Sequence, residues 1–268
     1  MKKCLLMLLS MIFVGGAFLS GVQAAENVVR EDLGSYFAEV DSGTFVMYDE
    51  ANDRYIVYNE AQSQKRLTPC STFKIYNSLI GLETGVLDQE DVFTLFKWSG
   101  KNYSFPAWNH DHTLASATRD SVVWYFQELA ARIGPERMQD YLDRIEYGNR
   151  DISGGLTTFW LQSSLQISAR EQVDLLAKLD QDKLPFTRQY VEIVKKNITQ
   201  SEEAGVRFMG KTGSGFRDGK WPLGWFVGCV EKPGKRYYFA TNIQAPDGAN
   251  GGRAREITKR ILRDLQVL

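Results

Sequence analysis

Apolar positions change their spacing twice along the chain. Residues 43–49 (GTFVMYD) and 54–59 (RYIVYN) are short runs dense in Val, Ile, Phe and Tyr. They flank Glu50-Ala51-Asn52-Asp53, so the pattern predicts a hairpin of two strands. From residue 71 the apolar residues recur every three or four positions. Helices are predicted over 71–84, about 120–133, about 136–145 after Gly134-Pro135, about 168–180 and about 187–196, each bounded by Gly, Pro or Ser. Strand-like runs then return at 206–211, 224–231 and 236–243, the last two joined by the turn Lys232-Pro233-Gly234-Lys235. A final helix over 251–265 places Ile257, Ile261, Leu262 and Leu265 on one face.

Strands, then helices, then hairpin-connected strands imply an α+β fold: an antiparallel sheet flanked by helices, with an inserted all-helical lobe. The sheet lobe is expected from about 25–70 and 200–268 and the helical lobe from about 86–199, together one domain over 25–268. Two connections, 97–112 and 147–164, are too long to be simple turns and are expected to carry function.

The first 24 residues stand apart. Lys2 and Lys3 precede an apolar stretch from Leu5 to Leu19, and Val22-Gln23-Ala24 has small residues where a signal peptidase requires them. A secretory signal cleaved after Ala24 is expected, and with it a periplasmic or secreted product without a membrane span. Cys4 precedes the apolar stretch and is a poor candidate for lipidation. The remainder holds 30 basic and 33 acidic side chains, a formal charge of −3, which points to neither a nucleic-acid partner nor a basic membrane surface. Cys70 and Cys229 lie in apolar runs and are expected to be buried thiols, one disulfide being the alternative.

The chemistry concentrates at PCSTFKIYNSLIGLETG, residues 69–85. Thr68 is expected to cap a helix with Pro69 at its first position, which places Ser71 in the first turn and Lys74 one turn later on the same face. Phe73, Ile75, Leu79, Ile80 and Leu82 surround that face with apolar groups. Desolvation favours the neutral amine, so Lys74 can serve as the base that a nucleophilic serine needs. Histidine is a poor alternative: His110 and His112 are two apart in a loop and lack a third ligand for zinc, so no metal is expected.

Further motifs follow in order: Ser121-Val122-Val123 opening a helix, Tyr147-Gly148-Asn149, Phe159-Trp160-Leu161, and Lys211-Thr212-Gly213 ending a strand. In this order and spacing the chain resembles the serine β-lactamase and penicillin-binding-protein superfamily. S-x-V in place of S-D-N, together with PCSTFK, FPAWNHDHTL, YGNRDISGG and FWLQSSLQIS, resembles class D β-lactamases from about Phe37 onward.

That resemblance implies a small-molecule β-lactam substrate, Ser71 as nucleophile, and a CO2-derived carbamate on Lys74 as general base, with no other cofactor. It implies Ser121 as proton relay to the leaving nitrogen, and the N–H groups of Ser71 and Ser214 as oxyanion hole. Lys211, Thr212 and Gly213 would meet the substrate carboxylate with Arg253, preferred over Arg255. Val123 and Trp160 would wall the carbamate pocket, and Tyr147 and Asn149 would hold the loop. Cys70 departs from the small residue usual beside the nucleophile and is expected to be packing. Two other classes share parts of the pattern: a β-lactam sensor that acylates without turnover, and a D,D-peptidase. Substrate range is expected to depend on Tyr103, Trp108 and residues 220–223.

Overall fold

The computed structural model describes residues 25–88 and 95–268. The expected signal segment, residues 1–24, lies outside them. Seven strands form one sheet: β1 (Glu26–Val29), β2 (Ser42–Asp49), β3 (Arg54–Tyr58), β4 (Thr199–Glu203), β5 (Val206–Arg217), β6 (Lys220–Lys232) and β7 (Lys235–Gln244). Their order is β1-β3-β2-β7-β6-β5-β4. Every pairing is antiparallel except β1 with β3, which run parallel, a departure from the expected all-antiparallel sheet.

The helices are α1 (Glu60–Ser63), α2 (Lys74–Glu83), α3 (Leu114–Arg119), α4 (Val123–Ile133), α5 (Pro135–Arg144), α6 (Ala169–Asp180), α7 (Arg188–Asn197) and α8 (Gly251–Asp264). All but α8 fall between β3 and β4 in the chain, so the sheet is assembled from segments that the helical stretch separates.

Side-chain alternation along the central strands feeds two cores. Val46, Tyr55, Val57, Trp225, Val227, Cys229, Tyr238 and Ala240 point into the larger core, built with α2, α4 and α6. Phe45, Met47, Ile56, Phe226, Val230, Phe239 and Ile243 point the other way, under α8 and the 3-10 turn Glu31–Phe37. A strand covered on both faces needs apolar residues at successive positions, which is why 224–231 and 236–243 read as continuous apolar runs. Cys70 and Cys229 are both buried and unpaired.

Candidate active site

The serine turn differs from the expected helix start. Cys70–Phe73 is a 3-10 turn, and the regular helix begins only at Lys74. Cys70 has φ of +51°, left-handed for a residue with a Cβ, a conformation of order 1–3 kcal/mol that the surrounding packing must hold in place. Thr68 does not cap the helix. Its Oγ1 donates to Trp160 O (3.1 Å) and accepts from Gln162 N–H (3.1 Å), while its carbonyl accepts from Trp225 Nε1 (2.9 Å). The segment leading to Ser71 is thereby tied to the 147–164 connection and to β6. Burial pushes the Cys70 thiol up to about 12, so it stays protonated and unreactive at neutral pH.

Lys74 is fully buried. Its Nζ donates to Ser121 O (2.6 Å) and Ser121 Oγ (3.0 Å) and lies 5.2 Å from the centre of the Phe126 ring. Desolvation, with a smaller contribution from Lys211, holds its pKa well below the ordinary lysine value. Lys211 reaches the same hydroxyl from β5: its Nζ donates to Ser121 Oγ (3.0 Å) and Thr212 O (3.1 Å), and burial pulls it down to about 7. Ser121 does not open a helix as expected. It occupies the turn between α3 and α4 with φ of +53°, a turn made possible by the unexpected short helix α3. One hydroxyl therefore joins two amines, both shifted by burial toward their neutral, proton-accepting form.

Ser71, Ser121, Val123, Thr212 and Ser214 line a common cleft of about 810 Å³. Gly213 lets β5 approach the serine turn, since a Cβ there would stand 2.8 Å from Pro69 O. Trp160 is buried against Phe73 (ring centres 5.7 Å) and Phe159 (4.9 Å), and its Nε1 has no hydrogen-bond partner. Tyr147 packs edge-on against Phe73 (5.4 Å) and Tyr76 (5.2 Å). Asn149 bridges the connection to itself, donating to Ser164 O (2.8 Å) and accepting from Gln166 N–H (2.8 Å).

Arg253 is not brought to the cleft: its guanidinium binds the carbonyl and carboxylate of Glu39, both at 2.9 Å. Arg255 pairs with Glu256. Asn250 lines the cleft instead, and the adjacent Gly251 N–H donates to Ser214 Oγ (2.9 Å). His112 is occupied by Ser116 Oγ and Ala107 O, both at 2.9 Å, and does not reach the serine. Among the described residues no group of three or more His, Cys, Asp or Glu could hold a metal.

Phe105, Trp108, Phe216, Trp221, Asp120 and Gln162 also line the cleft; Trp108 and the segments holding Phe105, Gln162 and Trp221 are marked in the sequence, whereas Asp120 and Phe216 are not. Phe105 and Phe216 are each about half exposed, and large apolar side chains left exposed beside a cleft mark a binding surface.

The penicillin binding protein transpeptidase domain matches residues 43–263. The chain belongs to that family. Within it, the chain is 40% identical to the probable β-lactamase YbxI of Bacillus subtilis, across 98% of this chain and 97% of that one. A solved class D β-lactamase from Bacillus subtilis is 42% identical and superposes with a TM-score of 0.83 over 88% of this chain and 96% of its own. The C-terminal domain of the Bacillus licheniformis BlaR penicillin-receptor is 34% identical with a TM-score of 0.87, over 92% of this chain and 100% of that domain. In this transpeptidase and β-lactamase family member, the serine turn, the Ser121 turn and the end of β5 are the three elements that meet at the cleft. No helix among the described residues is long and apolar enough to cross a membrane.

Proposed function

We propose that the chain hydrolyses the β-lactam amide of penicillin-type antibiotics through an acyl-enzyme on Ser71, and so confers resistance to them. The observation that carries this is the fully buried Lys74 amine, held well below the ordinary lysine pKa by desolvation, one turn from Ser71 and bonded to Ser121. Ser71 Oγ attacks the lactam carbonyl, and the N–H groups of Ser71 and Ser214 hold the developing oxyanion. Ser121 passes a proton to the leaving nitrogen, drawing on the Lys211 amine 3.0 Å from its hydroxyl. Lys211 and Thr212 receive the substrate carboxylate, Gly213 keeps the strand close to the nucleophile, and Arg253 contributes there only on release from Glu39.

Lys74 suits a carbamate. CO2 adds only to an unprotonated amine, and the buried Trp160 Nε1 is a donor in want of an acceptor. With CO2 bound, Lys74 would supply an anionic base both for Ser71 and for the water that hydrolyses the ester. Val123 and the Trp160 ring exclude bulk water from the amine. The leader-like residues 1–24 support export, to the periplasm or the medium.

The likeness to the BlaR penicillin-receptor domain supports a second reading, a sensor that acylates and stops. Nitrocefin added in excess separates the two. Sustained turnover is expected, and a burst of one equivalent that then ceases would favour the sensor. Ser71→Ala should remove the covalent adduct seen by intact mass.

A further inference from the structure

We infer that Gln162 is a positioning residue for the oxyanion hole, because its amide pins the free edge of β5 to the serine turn. This builds on the assignment of the Ser71 and Ser214 N–H groups as that hole.

The β5 edge that faces the cleft has no strand beside it beyond Met209 and Gly210, where pairing with β4 and its approach end. On its other edge β5 pairs with β6, but the register slips between Gly215 and Arg217, so Phe216 has no β6 partner. Backbone N–H groups two apart in a strand face the same way, so the Phe216 N–H shares an edge with that of Ser214. With its amide oriented as its neighbours require, Gln162 donates to Phe216 O (2.8 Å) and accepts from Phe216 N–H (3.3 Å). One side chain thus acts as the missing strand residue, satisfying both backbone groups at the bulge.

The Gln162 backbone N–H is meanwhile fixed by Thr68 Oγ1 (3.1 Å), three residues before Ser71, and Thr68 also holds Trp160 O. Gln162 has φ of +50°, so its own backbone is held in a sparsely populated conformation to make this bridge. The serine turn and the end of β5, which carry the two proposed oxyanion donors, touch at Gly213 and Pro69 and are bridged a second time, further along β5, by Gln162. Gly215 is part of the device, because a Cβ there would run into the Gln162 amide. The amide offers a donor and an acceptor side by side; an ionised Glu in its place accepts only and sets its charge against Phe216 O.

The test uses the full enzyme and a penicillin carrying 13C at its lactam carbonyl. Misplacing an oxyanion donor costs roughly 10- to 100-fold in acylation. Gln162→Ala and Gln162→Glu should therefore lower the acylation rate constant by about that factor while leaving the apparent binding of substrate within about threefold. Their acyl-enzyme carbonyl stretch should move to higher frequency, a sign of weaker hydrogen bonding to the ester oxygen that a general loss of stability would not produce. Gly215→Ala should behave alike, and its effect should vanish when combined with Gln162→Ala. Wild-type acylation and an unshifted band in both Gln162 variants would overturn the inference. A band in the wild type at the frequency of a free ester would instead show that no oxyanion hole forms there, and the failure would then lie with the underlying assignment. Where Gln162→Ala does not fold, Gln162→Glu and Gly215→Ala carry the same decision.

Discussion

Replacing Lys211 by Met should make the protein more stable at neutral pH, and by an amount that depends on pH in a defined way. Lys211 is 4% exposed and its pKa falls from the ordinary 10.5 to about 7 through burial. The unfolded chain therefore binds a proton that the folded chain refuses between these values. For a base depressed on folding, stability is fully present above the unfolded value and is lost as pH falls to the folded one. The fall to about 7 corresponds to a loss of about 5 kcal/mol once pH is at or below 7. Met removes that cost but forfeits the bonds to Ser121 Oγ and Thr212 O, each worth about 1 kcal/mol. The variant should gain about 3 kcal/mol near pH 7, a rise in Tm of roughly 6–12 °C. The advantage should shrink by about 1.4 kcal/mol for each pH unit above 7, and the two stability curves should cross near pH 9, to about one unit. Urea titrations between pH 6.5 and 10 in CO2-depleted buffer measure this directly, since a carbamate on Lys74 would hold Lys211 charged. A stability difference that stays constant across that range would refute the reasoning.

Three other substitutions probe separate groups, two at the cleft and one beside it. Ser71→Ala should show no penicillin adduct by mass spectrometry, and an adduct at full occupancy would place the nucleophile elsewhere. Lys211→Ala should raise KM and slow acylation for substrates bearing a carboxylate by roughly 10-fold or more, and unchanged kinetics would contradict its role as anchor. His112 is held below its ordinary value, by burial first and by His110 second. Its contribution to stability should be present above about pH 6.5 and decline on acidification, more steeply in the wild type than in His112→Gln, as thermal melts from pH 5 to 8 would reveal.

Where packing on both faces dictates composition, the sequence shows the fold plainly: β6 and β7 are unmistakable because Trp225 to Val230 and Tyr238 to Ile243 serve two cores at once. The short edge strands β1 and β4 were not expected, since their residues are mostly exposed and polar and pair through the backbone. Helix α3 falls in the few residues between the 97–112 connection and the helix expected from about 120, where the apolar pattern predicts no element, although its Thr113–Ser116 capping box is in the sequence. Ser71, Lys74, Ser121 and Lys211 stand out in the sequence because their order and spacing match the motifs of one family, and the structure bonds Lys74 and Lys211 to Ser121 and sets Ser121 beside Ser71 in one cleft. Thr68 was misassigned because a Thr before Pro looks like a cap, whereas tertiary contacts with Trp160 and Gln162 claim its hydroxyl. Arg253 was misplaced for a similar reason: its distance from Thr212 in sequence gives no sign that Glu39 lies beside it. Gln162 lies in the quoted segment FWLQSSLQIS, but its contact cannot be read there, since a bridge between a loop and a bulged strand leaves no periodicity.

Whether Lys74 carries a carbamate is decided by a 13C NMR spectrum of the working enzyme equilibrated with 13C-bicarbonate at constant pH. A carbamate resonance is expected that grows in step with nitrocefin turnover, is absent from Lys74→Ala, and requires more bicarbonate in Trp160→Phe. An enzyme that turns over at its full rate in CO2-free buffer with no such resonance would show Lys74 acting as a plain amine.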